Sequence, residues 1–193
     1  MAPTQSYLVE KLSFYAAYHS VFGNQLVHFI FIPAILVTSL SLCNIYLPPA
    51  SYKVYEFGND AMNDSFPISV SLLVFAAMYP LSYIYIDLIA GISWIPMSIF
   101  SWWMANYVEK ACSAPTIWLI FAISWIAQFL AHGLIERRRP ALIDSLYESL
   151  VLAPFFWWFE VFLFPLGFYS DTKRQMAQNA KKIQKKIDAV KQR

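Results

Sequence analysis

The chain has 193 residues, of which 59% are hydrophobic and 13% charged, with a net charge of +2. A water-soluble domain carries about 25% charged residues, so this composition excludes an ordinary soluble globule and implies a surface that faces lipid. The charge is also unevenly spread: residues 171–193 hold eight Lys/Arg against Asp171 and Asp188, and the preceding part is net acidic.

In chain order, residues 5–26 place Leu8, Leu12, Tyr15, Tyr18, Phe22 and Leu26 at helical spacing, predicting an N-terminal interfacial amphipathic helix broken at Gly23. From Val27 to Leu47 there is no acid, Lys or Arg. That length crosses a hydrocarbon core of about 30 Å and forms the first span. The polar loop 48–65 follows, with a glycosylation sequon at Asn63-Asp-Ser65. Phe66 to Val108 holds one charge, Asp87, and is too long for a single span, so it reads as a two-helix hairpin turning near Asp87–Gly91. Thr116–Ile135 is the fourth span, closed by Arg137-Arg-Arg139-Pro140.

Residues 146–168 are apolar but interrupted by Pro154, Glu160, Pro165 and Gly167. Lys and Arg concentrate on the cytoplasmic side, and both Arg137–Arg139 and the basic tail belong there only if 146–168 enters and returns. The segment is therefore a re-entrant helical hairpin, with a fifth crossing as the alternative. The fold class is an all-α membrane protein of about four transmembrane helices. Residues 1–170 form a single catalytic membrane domain, and 171–193 a basic amphipathic cytosolic tail. Both termini are then cytosolic and the loop 48–65 lumenal. The tail is expected to rest on an anionic leaflet and to be dispensable for catalysis. The N-terminus lacks the order of features of a removable signal peptide. Cys43 and Cys112 match no metal-site spacing. No glycine loop for nucleotides is present, and no nucleic-acid partner is expected.

The chain's three histidines are His19, His28 and His132. This topology brings all three to one membrane face. His19 and His28 lie on opposite faces of any continuous helix, being about two and a half turns apart, so sharing a site requires the break between them. Tyr15 precedes His19, and Asn24 precedes His28, by four residues; Gln128, His132 and Glu136 make a similar stripe. Three imidazoles and a carboxylate, with phenol and amide neighbours, suit a divalent metal. Taken singly, a histidine at a membrane interface more often bonds a carbonyl or snorkels than ligates a metal, and Glu136 before three arginines is more often a salt-bridge partner. Ionisable groups at membrane depth are nevertheless costly and tend to be functional.

Two stretches carry a resemblance. Tyr15-Ala-Ala-Tyr-His19, with Asn24, His28 and Pro33, is similar to the opening motif of the fungal and bacterial 2-hydroxy fatty acid dioxygenases. Gln128-Phe-Leu-Ala-His132, continuing through Glu136 to Pro140-Ala-Leu142, resembles that family's second motif, with Ala131 in place of its usual Gly and Ile135 in place of its usual Phe. Leu152-Ala-Pro154 and Glu160-Val-Phe162 resemble its closing motif. The resemblance spans most of residues 7–168 and omits the basic tail.

It implies an iron(II)-dependent enzyme of the endoplasmic reticulum membrane. Such an enzyme uses dioxygen to shorten 2-hydroxy fatty acids, such as 2-hydroxypalmitate, by one carbon in phytosphingosine degradation. His19, His28 and His132 take the place of the family's motif histidines, and Glu136 joins them as a catalytic residue and metal ligand. Arg137, Arg138, Tyr15 and Asn24 are the substrate-binding candidates. Two other functions fit the residues alone: a zinc-dependent membrane lipid hydrolase and a non-enzymatic membrane scaffold.

Overall fold

A computed structural model describes residues 3–47, 70–137 and 147–191. The described residues are helical: α1 (Pro3–Tyr18), α2 (Phe22–Tyr46), α3 (Val70–Ala76), α4 (Ser82–Ile86), α5 (Leu88–Ala111), α6 (Ala114–Leu130), α7 (Ala153–Trp158) and α8 (Ser170–Lys191). Wider π turns at Ala77–Leu81, Ala131–Glu136, Glu148–Leu152 and Phe159–Leu163 interrupt or flank them. The turn at Ala77–Leu81 contains Pro80, whose missing N–H and bulky ring disfavour regular winding, although α2 and α5 accommodate Pro33 and Pro96. The loop 48–65 and the sequon lie outside the described residues.

Among the described residues, three helices are long and apolar enough to cross a membrane: Phe22–Tyr46, Leu88–Ala111 and Ala114–Glu136. The apolar helix Ser71–Ile86 is shorter. Leu119, Ile126 and Leu130 on α6 and Ile92, Ile99 and Trp103 on α5 are exposed, which suits lipid and not water.

Helices α2 and α6 run antiparallel and are tied at both ends. Trp118 Nε1 donates to the Tyr46 hydroxyl at 3.2 Å at one end, and the Ser20 backbone N–H donates to Glu136 at 3.1 Å at the other. On the far side of α2, the Ser41 hydroxyl donates to the Ala105 carbonyl of α5 at 3.1 Å.

The hairpin turn falls at Asp87, as the sequence predicts. Asp87 is extended (φ −152°, ψ 118°) and its carboxylate accepts from the Ala90 N–H, capping α5. Gly91 lets the two arms touch: a Cβ there would lie 2.2 Å from the Ile84 backbone nitrogen. Gly91→Ala is expected to cost about 1–3 kcal/mol through overpacking against a backbone that cannot yield. Thermal unfolding in detergent would register this as a lowered transition temperature with metal content unchanged.

The break between α1 and α2 lies at residues 19–21 and not at Gly23, which is already helical. The reason is long-range: the carboxylate of Glu136 seizes the backbone N–H groups of Ser20 and Val21, satisfying donors that any helix start leaves orphaned. Gly23 packs on Ile135, whose side chain would lie 3.3 Å from an added Cβ.

Residues 153–159 are buried on every side, as expected of a helix that is apolar all round. Tyr83 stacks on Phe155 at 4.2 Å between ring centroids, the Tyr83 hydroxyl donates to the Val151 carbonyl at 2.5 Å, and Trp158 Nε1 donates to Ser93 Oγ at 2.9 Å. Irregular backbone is tolerated at membrane depth when protein covers it in this way. After a turn through Gly167 (φ 84°) and Tyr169 (φ 58°), α8 lies along α1. Its stripe, with Thr172 and Ala180 buried, faces α1, and Gln184 Nε2 donates to the Ala17 carbonyl at 3.4 Å. The first and last helices therefore sit together, at the end of the bundle that holds the histidines.

Candidate metal centre

His19 occupies the linker between α1 and α2, His28 the second turn of α2, and His132 the π turn that ends α6. Their ring centroids lie 4.4 Å (His19–His28), 4.8 Å (His19–His132) and 4.8 Å (His28–His132) apart. One ligand-capable atom from each lies within 4.8 Å of the others, and all three residues are buried. Among the described residues this is the group of His, Cys, Asp and Glu close enough to hold a metal ion.

The hydrogen bonds orient the rings for that purpose. His19 Nδ1 lies 2.9 Å from the Tyr15 carbonyl and His28 Nδ1 3.0 Å from the Asn24 carbonyl. Carbonyls only accept, so both Nδ1 atoms carry the proton and both Nε2 atoms keep a lone pair. His19 Nε2 and His132 Nδ1 are buried without a hydrogen-bond partner. A buried polar atom with no partner is costly, and two such nitrogens in one cluster of imidazoles are what a bound cation would satisfy. Burial and the imidazoles of His28 and His132 hold His19 well below its ordinary pKa, so its ring is neutral and able to ligate at pH 7. Three neutral imidazoles, each N–H fixed by a backbone carbonyl where one is present, form a donor set that suits iron, zinc or copper.

Glu136 enters the site differently from the histidines. Its Oε1 accepts from the Ser20 N–H at 3.1 Å and from the Ser20 hydroxyl at 2.5 Å; its Oε2 accepts from the Val21 N–H at 3.0 Å and Asn24 Nδ2 at 3.3 Å. Both carboxylate oxygens thus hold the linker that carries His19. The π turn that carries His132 and Glu136 winds more widely than an α-helix, which changes which of its side chains share a face. Such bulges recur at functional sites.

Tyr15 stacks on His19 with centroids 3.8 Å apart and contacts Phe156 at 4.7 Å. Asn24 is fully buried and its amide also reaches the Tyr18 carbonyl at 3.4 Å. Of the proposed substrate-binding residues, Tyr15 lines a cavity of about 640 Å3 that also borders His28. Asn24 braces the linker. Arg137 is exposed, with a left-handed backbone (φ 54°) whose N–H closes the π turn onto the His132 carbonyl. Arg138 lies outside the described residues. Gln128 lines a different, smaller cavity with Ile32, Tyr79 and Trp125.

Sequence reasoning passed over Ser20, although a Ser immediately before an apolar helix is a usual cap signal. It also passed over Gln25, whose Nε2 donates to the His19 carbonyl at 2.8 Å, and over Lys173 of α8, which lines the larger cavity. Only the first of these had a local signal.

No solved structure matches the chain. A family model described as 2-hydroxy-palmitic acid dioxygenase Mpo1-like matches residues 5–163. The chain is 37% identical over 161 residues to the 2-hydroxy-palmitic acid dioxygenase of Saccharomyces cerevisiae, covering 83% of this chain and 82% of that protein. The matched region contains all three imidazoles, the Glu136 anchor and the buried segment behind them, and the chain belongs to the Mpo1-like family.

Proposed function

We propose that the protein is an iron-dependent dioxygenase that shortens 2-hydroxy fatty acids, 2-hydroxypalmitate among them, by one carbon. The observation that carries this reading is the convergence of three buried imidazoles, two of them with a ring nitrogen that has no hydrogen-bond partner, in a chain of this family. His19, His28 and His132 would hold the iron. When bound, the iron supplies the redox-active centre at which dioxygen and a chelating 2-hydroxy acid can meet. The overall change balances with dioxygen alone. One dioxygen converts the 2-hydroxy acid to the acid one carbon shorter, carbon dioxide and water, and no external reductant is required.

The chain's own residues act around that centre. Glu136 is a positioning residue, holding the 19–21 linker so that His19 faces its partners. Tyr15 stacks on His19 and presents its phenol to the cavity. Burial and the charge of Glu160 push that phenol well above its ordinary pKa, so it stays protonated and can donate to a substrate oxygen. Buried Phe156 packs on Tyr15, which stacks on His19, and gives that side of the site an apolar backing. Tyr15→Phe should lower kcat/KM by about tenfold, as expected for losing one hydrogen bond to a charged group, and leave metal content intact. Metal loss in that variant would reassign Tyr15 to supporting His19.

The protein works in the endoplasmic reticulum membrane with four crossings, Val70–Ile86 being the second, and with both termini cytosolic. The close packing of α1 against α8 supports that parity. Protease treatment of sealed microsomes carrying terminal tags should remove both tags; a protected C-terminal tag would show that 147–163 crosses. The enzymatic reading is tested by turnover of 2-hydroxypalmitate with and without dioxygen. The expected result is pentadecanoate in air and none under argon. Product formed equally without dioxygen would indicate zinc-type hydrolytic chemistry instead.

A further inference from the structure

The cavity bordering His28 has a wall that the family does not account for. Its volume, about 640 Å3, falls within the roughly 300–1,000 Å3 of pockets that enclose small organic ligands. Tyr15 and His28 make a polar end. The body is mainly apolar, with Leu26 and Phe29 of α2 on one side and Val161 and Phe164 beyond α7 on the other, and Gln25 and Glu160 add polar groups to its lining. The tie from Trp157 Nε1 to the Phe29 carbonyl, 3.2 Å long, joins these two sides.

The remaining wall comes from α8, through Lys173 and Met176. These stand three residues apart and so share a helix face. The Lys173 ammonium lies 5.6 Å from the centroid of the Phe164 ring, leaving its stem to cover apolar surface while the charge stays at the rim. The helix is held in place independently of the cavity by its packing on α1 and by the Tyr169 hydroxyl, which donates to Asp87. All of α8 lies beyond residue 163, where the family match ends.

We infer that this cavity is the channel for the alkyl chain of the substrate, with its head at His28, and that α8 is its outer wall, Met176 limiting the chain and Lys173 closing the rim. The inference rests on the 2-hydroxy fatty acid reading and adds to it where the chain lies. A polar end beside the imidazoles and an apolar body match an acid whose reacting carbons are next to its carboxylate. The alkyl chain moves from lipid into the cavity, and both are apolar. Burial from water therefore contributes little discrimination, and steric fit decides which lengths are accepted. The basic helix thus has a part in specificity beyond contact with an anionic leaflet, and removing it after Ser170 should cost activity on long chains.

The test uses the full-length protein in detergent and compares 2-hydroxypalmitate with an eight-carbon 2-hydroxy acid. Met176→Trp, by filling the cavity, should lower kcat/KM for the long substrate at least about tenfold more than for the short one, with iron content unchanged. Val161→Trp, on the opposite wall, gives the same readout should the first variant fold poorly. In parallel, 2-hydroxypalmitate bearing a mid-chain diazirine should photolabel a peptide of α8 in the metal-free protein, and unlabelled acid should compete. Equal effects on both substrates in the Trp variants, or labelling confined to α5 and α6, would overturn the inference. A wild-type enzyme inactive on every 2-hydroxy acid would instead overturn the functional reading beneath it, whereas an active wild type with an unaltered length profile removes the channel alone.

Discussion

Replacing any one of His19, His28 or His132 by alanine should abolish both turnover and bound iron while leaving the protein folded in the membrane. Each ring contributes one donor to a group spanning 4.8 Å, and two imidazoles from different helices cannot enclose a cation that three were placed to hold. The loss should be at least about 1,000-fold, because removing a ligand removes the centre and not merely one interaction with it. Folding should survive. Two of the nitrogens concerned, His19 Nε2 and His132 Nδ1, have no hydrogen-bond partner in the protein, so truncation leaves no new orphan at those atoms. Circular dichroism and gel filtration of the variants check this. A histidine variant with full iron and near-normal turnover would leave the site.

The second large effect is expected at Glu136. Alanine there strips the acceptor from the Ser20 and Val21 N–H groups and the Asn24 amide, at a cost of about 1–3 kcal/mol for buried donors left unsatisfied. The linker carrying His19 then loses its anchor, and activity should fall about 10–100-fold, the range for groups that orient metal ligands. Glu136→Gln separates orientation from ligation. The amide oxygen can still accept at one position, so partial activity and weakened but measurable iron binding are expected. Iron loss as complete as in the histidine variants would show that Glu136 is itself a ligand.

The convergence of the histidines was legible because it follows from parity: helices that alternate direction return His19, His28 and His132 to one end whatever the packing details. The turn at Asp87 was legible for a local reason, an acid that caps a helix and a Gly91 that permits close approach. The break between α1 and α2 was misplaced because its cause is a carboxylate 116 residues away in the chain, and no local signal at Gly23 or Ser20 discloses that partner. The π turn at Ala131–Glu136 was equally hidden, since a helical stripe of Gln128, His132 and Glu136 presumes regular winding. In the structure Gln128 lines another cavity, His132 joins the centre, and Glu136 holds the linker beside it. For α8, an apolar stripe at alternating spacings of three and four suits a lipid surface and a neighbouring helix equally well. The sequence alone could not tell that α1 covers it, or that Lys173 and Met176 reach the cavity beside His28.

Metal analysis of purified wild-type protein, together with the variant lacking all three imidazoles (His19→Ala, His28→Ala and His132→Ala), tests the central claim most directly. The account predicts one iron per wild-type chain, lost together with oxygen-dependent turnover of 2-hydroxypalmitate in the triple variant. A triple variant that keeps its iron, or a wild-type enzyme fully active without any metal, would contradict it.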